Sequence, residues 1–96
     1  MKFLAIEKES SGVAVGPSGP LLRPEAKRVW ELYQSGVIRE TYFRADRDEA
    51  VLLLECGDME EAARVIATLP LVQSGHIAFD VIPLIPYPGF ARLFER

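Results

Sequence analysis

Seven side chains in this sequence are the candidates for holding a ligand or moving a proton: His76, Glu25, Glu7, Arg39, Arg44, Tyr42 and Tyr33. His76 is the only histidine, and imidazole is the side chain whose unperturbed pKa lies near neutrality, so it can shuttle a proton. It follows Ser74-Gly75 at a strand entrance, where an exposed turn histidine is also ordinary. Glu25 and Glu7 are the alternative acid–base groups. Glu25 also suits a helix start, where negative charge is favoured. Arg39 or Arg44, beside Tyr42, makes a clamp for a carboxylate, because a guanidinium can grip both oxygens at once. The same charges equally fit an outer strand with solvated side chains and cross-strand ion pairs. The two arginines are five residues apart, so in a regular strand they project to opposite faces and only one can line a given pocket. Tyr33 and its neighbour Trp30 fit either a ligand wall or a helix core. Cys56 ends an apolar strand with no second cysteine in the chain, which reads as a buried thiol.

Composition narrows the chemistry. A 96-residue chain suggests one domain, residues 1–96, and a chain this short buries only about 60–65% of its unfolded surface. Yet 49% of its residues are hydrophobic, an apolar content that a partner often helps to cover. The net charge of −3 and the lack of a basic cluster exclude a typical nucleic-acid binder. One histidine and one cysteine do not make a zinc site, and no phosphate-binding, dinucleotide or metalloprotease motif occurs, so no metal and no cofactor are expected. A single cysteine forms no internal disulfide. The opening Met1–Glu7 is charged too early for a secretory leader, and no apolar run approaches the roughly 18 residues of a membrane span. A soluble cytoplasmic protein is expected.

The elements that must position those residues follow from periodicity. Phe3–Glu7 reads as a short strand. Glu9–Arg23, rich in Gly, Pro and Ser, reads as a flexible loop, long enough to act as a lid. Pro24 suits the first helical position, and Ala26, Val29, Trp30 and Tyr33 recur at helical spacing until Gly36. Val37–Arg44 and Glu49–Glu55 flank the polar turn Asp46-Arg47-Asp48 as a hairpin. Asp58 with Glu61 is a capping pattern ahead of Ala62, Val65, Ile66 and Leu69, and Pro70 ends that helix. Ile77–Ile85 is the last strand, and its Pro83 calls for an edge position. Residues 88–96 form a tail whose Phe90, Leu93 and Phe94 fit a helical turn. The order is strand–helix–strand–strand–helix–strand, a ferredoxin-like βαββαβ α+β unit with a four-stranded antiparallel sheet.

Both faces of that sheet are apolar. Leu52, Leu54 and Cys56 alternate with Val51 and Leu53, and Phe3 and Ala5 alternate with Leu4 and Ile6. Two helices cover one face. The other requires a cover, and the simplest is a second copy of the chain.

Gly36-Val37-Ile38-Arg39, the hairpin after it, Ala67-Thr68-Leu69-Pro70-Leu71, and Val81-Ile82-Pro83-Leu84 with Pro86 and Pro88 resemble the muconolactone isomerase family over roughly Glu25–Phe90. The resemblance implies a dimeric α+β barrel, in which two ferredoxin-like sheets face each other, hence a homodimer or higher homo-oligomer. It also implies a cofactor-independent isomerase acting on a small carboxylate-bearing lactone or enol. The chain departs from the isomerases after Leu-Pro-Leu, where Val72-Gln73-Ser74-Gly75 replaces aromatic residues, and in the Gly/Pro-rich first loop. The family's catalytic positions find no residue-by-residue match, so none is carried over. The alternative is a non-catalytic module that binds a small acid or only builds an oligomer.

Overall fold

Four antiparallel strands carry the fold: β1 (Lys2–Glu9), β2 (Ile38–Phe43), β3 (Ala50–Glu55) and β4 (Ile77–Pro83). They lie in the order β2-β3-β1-β4. The computed structural model describes residues 1–95, so Arg96, the end of the expected tail, lies outside the described residues. Between the strands run α1 (Leu22–Gln34), α2 (Met59–Ala67) and the single-turn α3 (Pro70–Gln73). This is the ferredoxin-like α+β architecture read from the sequence. No helix among the described residues is long and apolar enough to cross a membrane.

Local signals explain most boundaries. α1 starts at Leu22, two residues before the expected Pro24, because a 3-10 turn at Gly19–Leu21 leads into it. Pro24 still falls in the first turn, where an N–H has no helical partner to lose. Gly36 ends α1 at φ +83°, a left-handed conformation that a side chain would strain. Pro70 does more than stop α2. Leu69 is extended, and Pro70 then opens α3, since proline suits a first helical position. β4 is an edge strand with Pro83 as its last residue, where a missing N–H disturbs the ladder least.

Asp58 caps α2 as expected. Its Oδ1 accepts the Glu61 N–H at 2.8 Å, and Glu61 Oε2 accepts the Gly57 N–H at 2.6 Å. Ala62 and Ile66 on α2, with Leu69 after it, are buried against the sheet. Asp58→Ala is therefore expected to cost about 0.5–2 kcal/mol. Ile66→Ala is expected to cost about 2–5 kcal/mol, because it leaves a cavity. Urea unfolding curves check the order, and equal costs would show that this helix face is not core.

The core is Phe3 and Ala5 of β1, Ile38 of β2, Leu52 and Leu54 of β3, then Cys56, closed by Leu32 of α1 and by Ala62, Ile66 and Leu69. Burial pushes the Cys56 thiol up, towards its unreactive protonated form. The opposite sheet face carries Leu4, Ile6, Val51, Leu53, Ala78 and Ile82, all half-buried or exposed. One irregularity breaks the alternation. Ile38 pairs with Leu54, but Glu40 pairs with Leu53, so Arg39 is an extra residue in a bulge. Thr41 and Phe43 therefore join Ile38 on the helix side, and Glu40 and Tyr42 take the other face. The tail forms a 3-10 turn at Pro88–Leu93, with Phe90, Leu93 and Phe94 exposed, and the molecule measures 61 × 28 × 25 Å.

Candidate active site

The core fills only one end of the space between helices and sheet. Around Phe3, Ile38 and Leu54 the packing is closed, each being at most 1% exposed. At the other end, where Glu7, Thr41, Phe43, Ala50, Ile77 and Phe79 lie, sheet and α1 line a cavity of about 460 Å³ that is open to solvent on one side. That size suits a small-molecule site. α1 supplies Leu22, Glu25, Ala26, Val29, Trp30 and Tyr33, and Leu52, Leu69 and Leu71 complete the walls. The rings of Trp30 and Tyr33 stack with centroids 6.0 Å apart. Both are about half exposed, so they form a rim rather than a sealed core.

Two carboxyl groups enter this apolar space. Glu25 comes from the first turn of α1 and accepts the Leu71 N–H at 2.9 Å. Leu71 lies in the first turn of α3, so its N–H has no partner within its own helix. Glu25 thus caps a helix 46 residues away while standing in the first turn of its own. Glu7 comes from β1. The β1–β3 ladder ends at the Ile6–Val51 pair, and Glu7 Oε1 takes the next N–H, that of Ala50, at 3.0 Å. Burial pushes the Glu25 carboxyl above its ordinary range, the Leu71 N–H partly offsets this, and the negative charge of Glu7 adds to the rise. A carboxyl held up in this way is poised to exchange a proton closer to neutrality.

Of the seven residues singled out in the sequence, the structure gathers Glu7, Glu25 and Tyr33 around this cavity and places the other four elsewhere. His76 sits at the turn into β4, with Nδ1 2.6 Å from Ser74 Oγ. Its Nε2 is 2.7 Å from the Gly16 carbonyl, which can only accept, so Nε2 carries the proton. Val15 N–H also donates to the Ser74 carbonyl, at 2.8 Å. The first loop is therefore tied down at its middle rather than free along its length. His76→Ala is expected to speed hydrogen exchange at the Val15 amide by about 2- to 12-fold, the loss of one ordinary hydrogen bond. Unchanged exchange would show that the tie holds without the ring.

The arginines stand apart from the cavity. Arg39, in the bulge, donates from Nε to the Gly36 carbonyl at 2.6 Å. Arg44 closes the hairpin by two bonds to Asp46, at 2.9 and 2.6 Å, with Glu49 3.6 Å away. Tyr42 lies on the outer sheet face and donates to Glu40 Oε1 at 2.7 Å. Among the lining residues that sequence reasoning did not assign to a site are Thr41, Phe43, Leu71 and Phe79. The signal for Phe43 and Thr41 was hidden by the bulge, and that for Leu71 by its dependence on a distant cap.

The chain matches no protein-family model and no curated protein. Among solved structures it is similar to the crystal structure of muconolactone isomerase, with a TM-score of 0.74 and 19% identity over 92% of each chain. At that identity the likeness establishes the fold, the same ferredoxin-like arrangement that the helix end at Leu69-Pro70-Leu71 and the proline-rich strand exit suggested.

Proposed function

We propose that this chain is a cofactor-independent isomerase that moves a proton along a small lactone or enol, with Glu25 as the proton carrier. The observation that carries this reading is the Glu25 carboxyl itself. It stands on the wall of an apolar cavity, held above its ordinary range and beside a second carboxyl. Ionised Glu25 removes a proton from the carbon next to the lactone carbonyl. The C–H electron pair moves into the ring as an enolate, with the charge on the carbonyl oxygen. Glu25 then returns the proton at the far end of the conjugated system and is ionised again. Among the lining side chains Tyr33, Thr41 and Trp30 are the neutral hydrogen-bond donors for that oxygen. Glu7 is the second acid–base group within the same walls. The likeness in fold to muconolactone isomerase supports this chemistry as one the architecture accommodates.

The test is proton NMR of 5-methyl-3H-furan-2-one in deuterated buffer with the protein added. Migration of the ring double bond, with deuterium entering the ring, is expected faster than in buffer alone. No acceleration with this or any related furanone would overturn the isomerase reading. One observation favours the alternative, a non-catalytic binding module: the Glu25–Leu71 hydrogen bond already gives Glu25 a structural task.

Self-association belongs to the same reading. The apolar outer face of Leu4, Ile6, Val51, Leu53 and Ile82 fits a second copy laid sheet to sheet as a homodimer. Leu53→Asp puts a charge in that face without touching the core beneath the helices. It is expected to give a folded monomer where the parent is a dimer, by sedimentation at micromolar concentration. A parent that is already monomeric, or a variant that still dimerises, would count against this interface.

A further inference from the structure

We infer that the cavity selects a small uncharged ring and rejects a ligand that carries a carboxylate. The inference rests on the isomerase reading of the same site and departs from the substrate that the family resemblance implies. Its basis is the inventory of charge around the cavity. Glu7 and Glu25 are its two ionisable carboxyls, and none of its lining residues is Lys, Arg or His. Both glutamates are anchored there by backbone N–H groups, so neither can swing away to make room for an anion.

The nearby cations stand outside these walls: Arg23 and Lys27 line a separate pocket on the outer side of Ala26 and Trp30, and Lys8 pairs with Asp80. Arg39 is folded back onto Gly36, and Arg44 is held by Asp46 and Glu49. A third negative charge brought against these apolar walls would meet two carboxyl groups at short range, with no cation among the walls themselves to offset it. An uncharged lactone meets no such penalty. Its ring fits the aromatic and aliphatic walls of Trp30, Phe43, Phe79 and Leu71. Its carbonyl can accept from the neutral donors of the wall, Tyr33 and Thr41.

The sole tryptophan of the chain, Trp30, lines the cavity, so its fluorescence reports occupancy without a label. Three probes are titrated into the full-length protein: uncharged 5-methyl-3H-furan-2-one, a furanone of the same ring bearing a carboxymethyl group, and benzylammonium. The uncharged lactone is expected to bind at least about tenfold more tightly than the carboxymethyl compound, the scale of one uncompensated charge contact. In the Glu7→Gln, Glu25→Gln double variant that gap is expected to close, because the anion gains affinity. Both amides retain a carbonyl oxygen for the Ala50 and Leu71 N–H groups, and circular dichroism checks that the variant is folded.

Equal or tighter binding of the carboxymethyl furanone by the parent protein would overturn the inference, whatever that compound's turnover. Tighter binding of benzylammonium than of the lactone would overturn it in favour of a cation site. Failure of all three probes to perturb Trp30 would overturn it as well. If the uncharged ring binds in the expected order but its double bond does not move, the selectivity stands and the isomerase reading falls. If the anionic furanone binds at least as tightly as the uncharged one and is also isomerised, the isomerase reading stands and the selectivity falls.

Discussion

Replacing Glu25 with glutamine is expected to slow lactone isomerisation by about 10²- to 10⁴-fold, the usual worth of a positioned acid–base group. The amide has nearly the same shape, and its carbonyl oxygen can still accept the Leu71 N–H, so the α3 cap survives. What it lacks is the ability to take up and return a proton. The pH profile separates these roles. In the parent, the rate climbs as Glu25 ionises, at a pH above the ordinary glutamate value of 4.5. In Glu25→Gln that limb is absent. Stability moves in the opposite sense. Because burial raises the folded-state pKa above the unfolded one, the proton on Glu25 favours the folded chain. That contribution is complete below the unfolded pKa and is lost as the pH rises through the folded pKa. The variant has no such loss. Its Tm relative to the parent is therefore expected to rise as the pH climbs above the ordinary glutamate value of 4.5. A variant that turns over at the parent's rate would remove Glu25 from the chemistry. A Tm difference that does not change with pH would place its carboxyl in water rather than in the cavity wall.

Phe3→Ala is expected to cost about 3–5 kcal/mol of folding stability. Phe3 is among the largest fully buried side chains, at 0% exposure, and it sits at the closed end of the core. A domain of this length holds roughly 5–14 kcal/mol in total, so a loss of this size removes a large share and brings the variant near the edge of folding at 37 °C. Phe43→Ala is the paired control. It removes the same atoms from a ring that is 72% exposed at the cavity rim, and surface changes of that kind usually stay within about 0.5 kcal/mol. Chemical denaturation of the two variants gives the comparison. Comparable losses would mean that the rim is packed, or that the closed end is not.

Local signals carried much of the architecture. Gly36, the Asp58–Glu61 cap and the alternation of β1 and β3 are each written within a few consecutive residues, and each has the predicted consequence. The ferredoxin-like order follows from them. The bulge at Arg39 carries no such mark, since neither Gly nor Pro announces it. It exists because β2 must match a partner strand whose own alternation is fixed by the core. Without it, the sequence assigns Arg39 to the face of Thr41 and Phe43, and an arginine clamp looks reasonable. The grouping of Glu7, Glu25 and Tyr33 was legible as a set of candidates but not as a site. What unites them is a pair of contacts across 43 and 46 residues, Glu7 to Ala50 and Glu25 to Leu71. His76 is separated from the set by one across 60, to Gly16. No local pattern encodes contacts of that range.

The long axis of the molecule has a consequence for how the protein behaves in a flow or a gel. A chain of 96 residues packed to ordinary density has a radius of gyration of about 12–13 Å. This one reaches 15.7 Å, with its long axis more than twice either of the others. Frictional drag follows the envelope rather than the mass, so a lone chain will elute from a sizing column ahead of its true weight and can pass for a pair. Light scattering or equilibrium sedimentation, which weigh the particle without reference to its outline, are the measurements that can tell one copy from two.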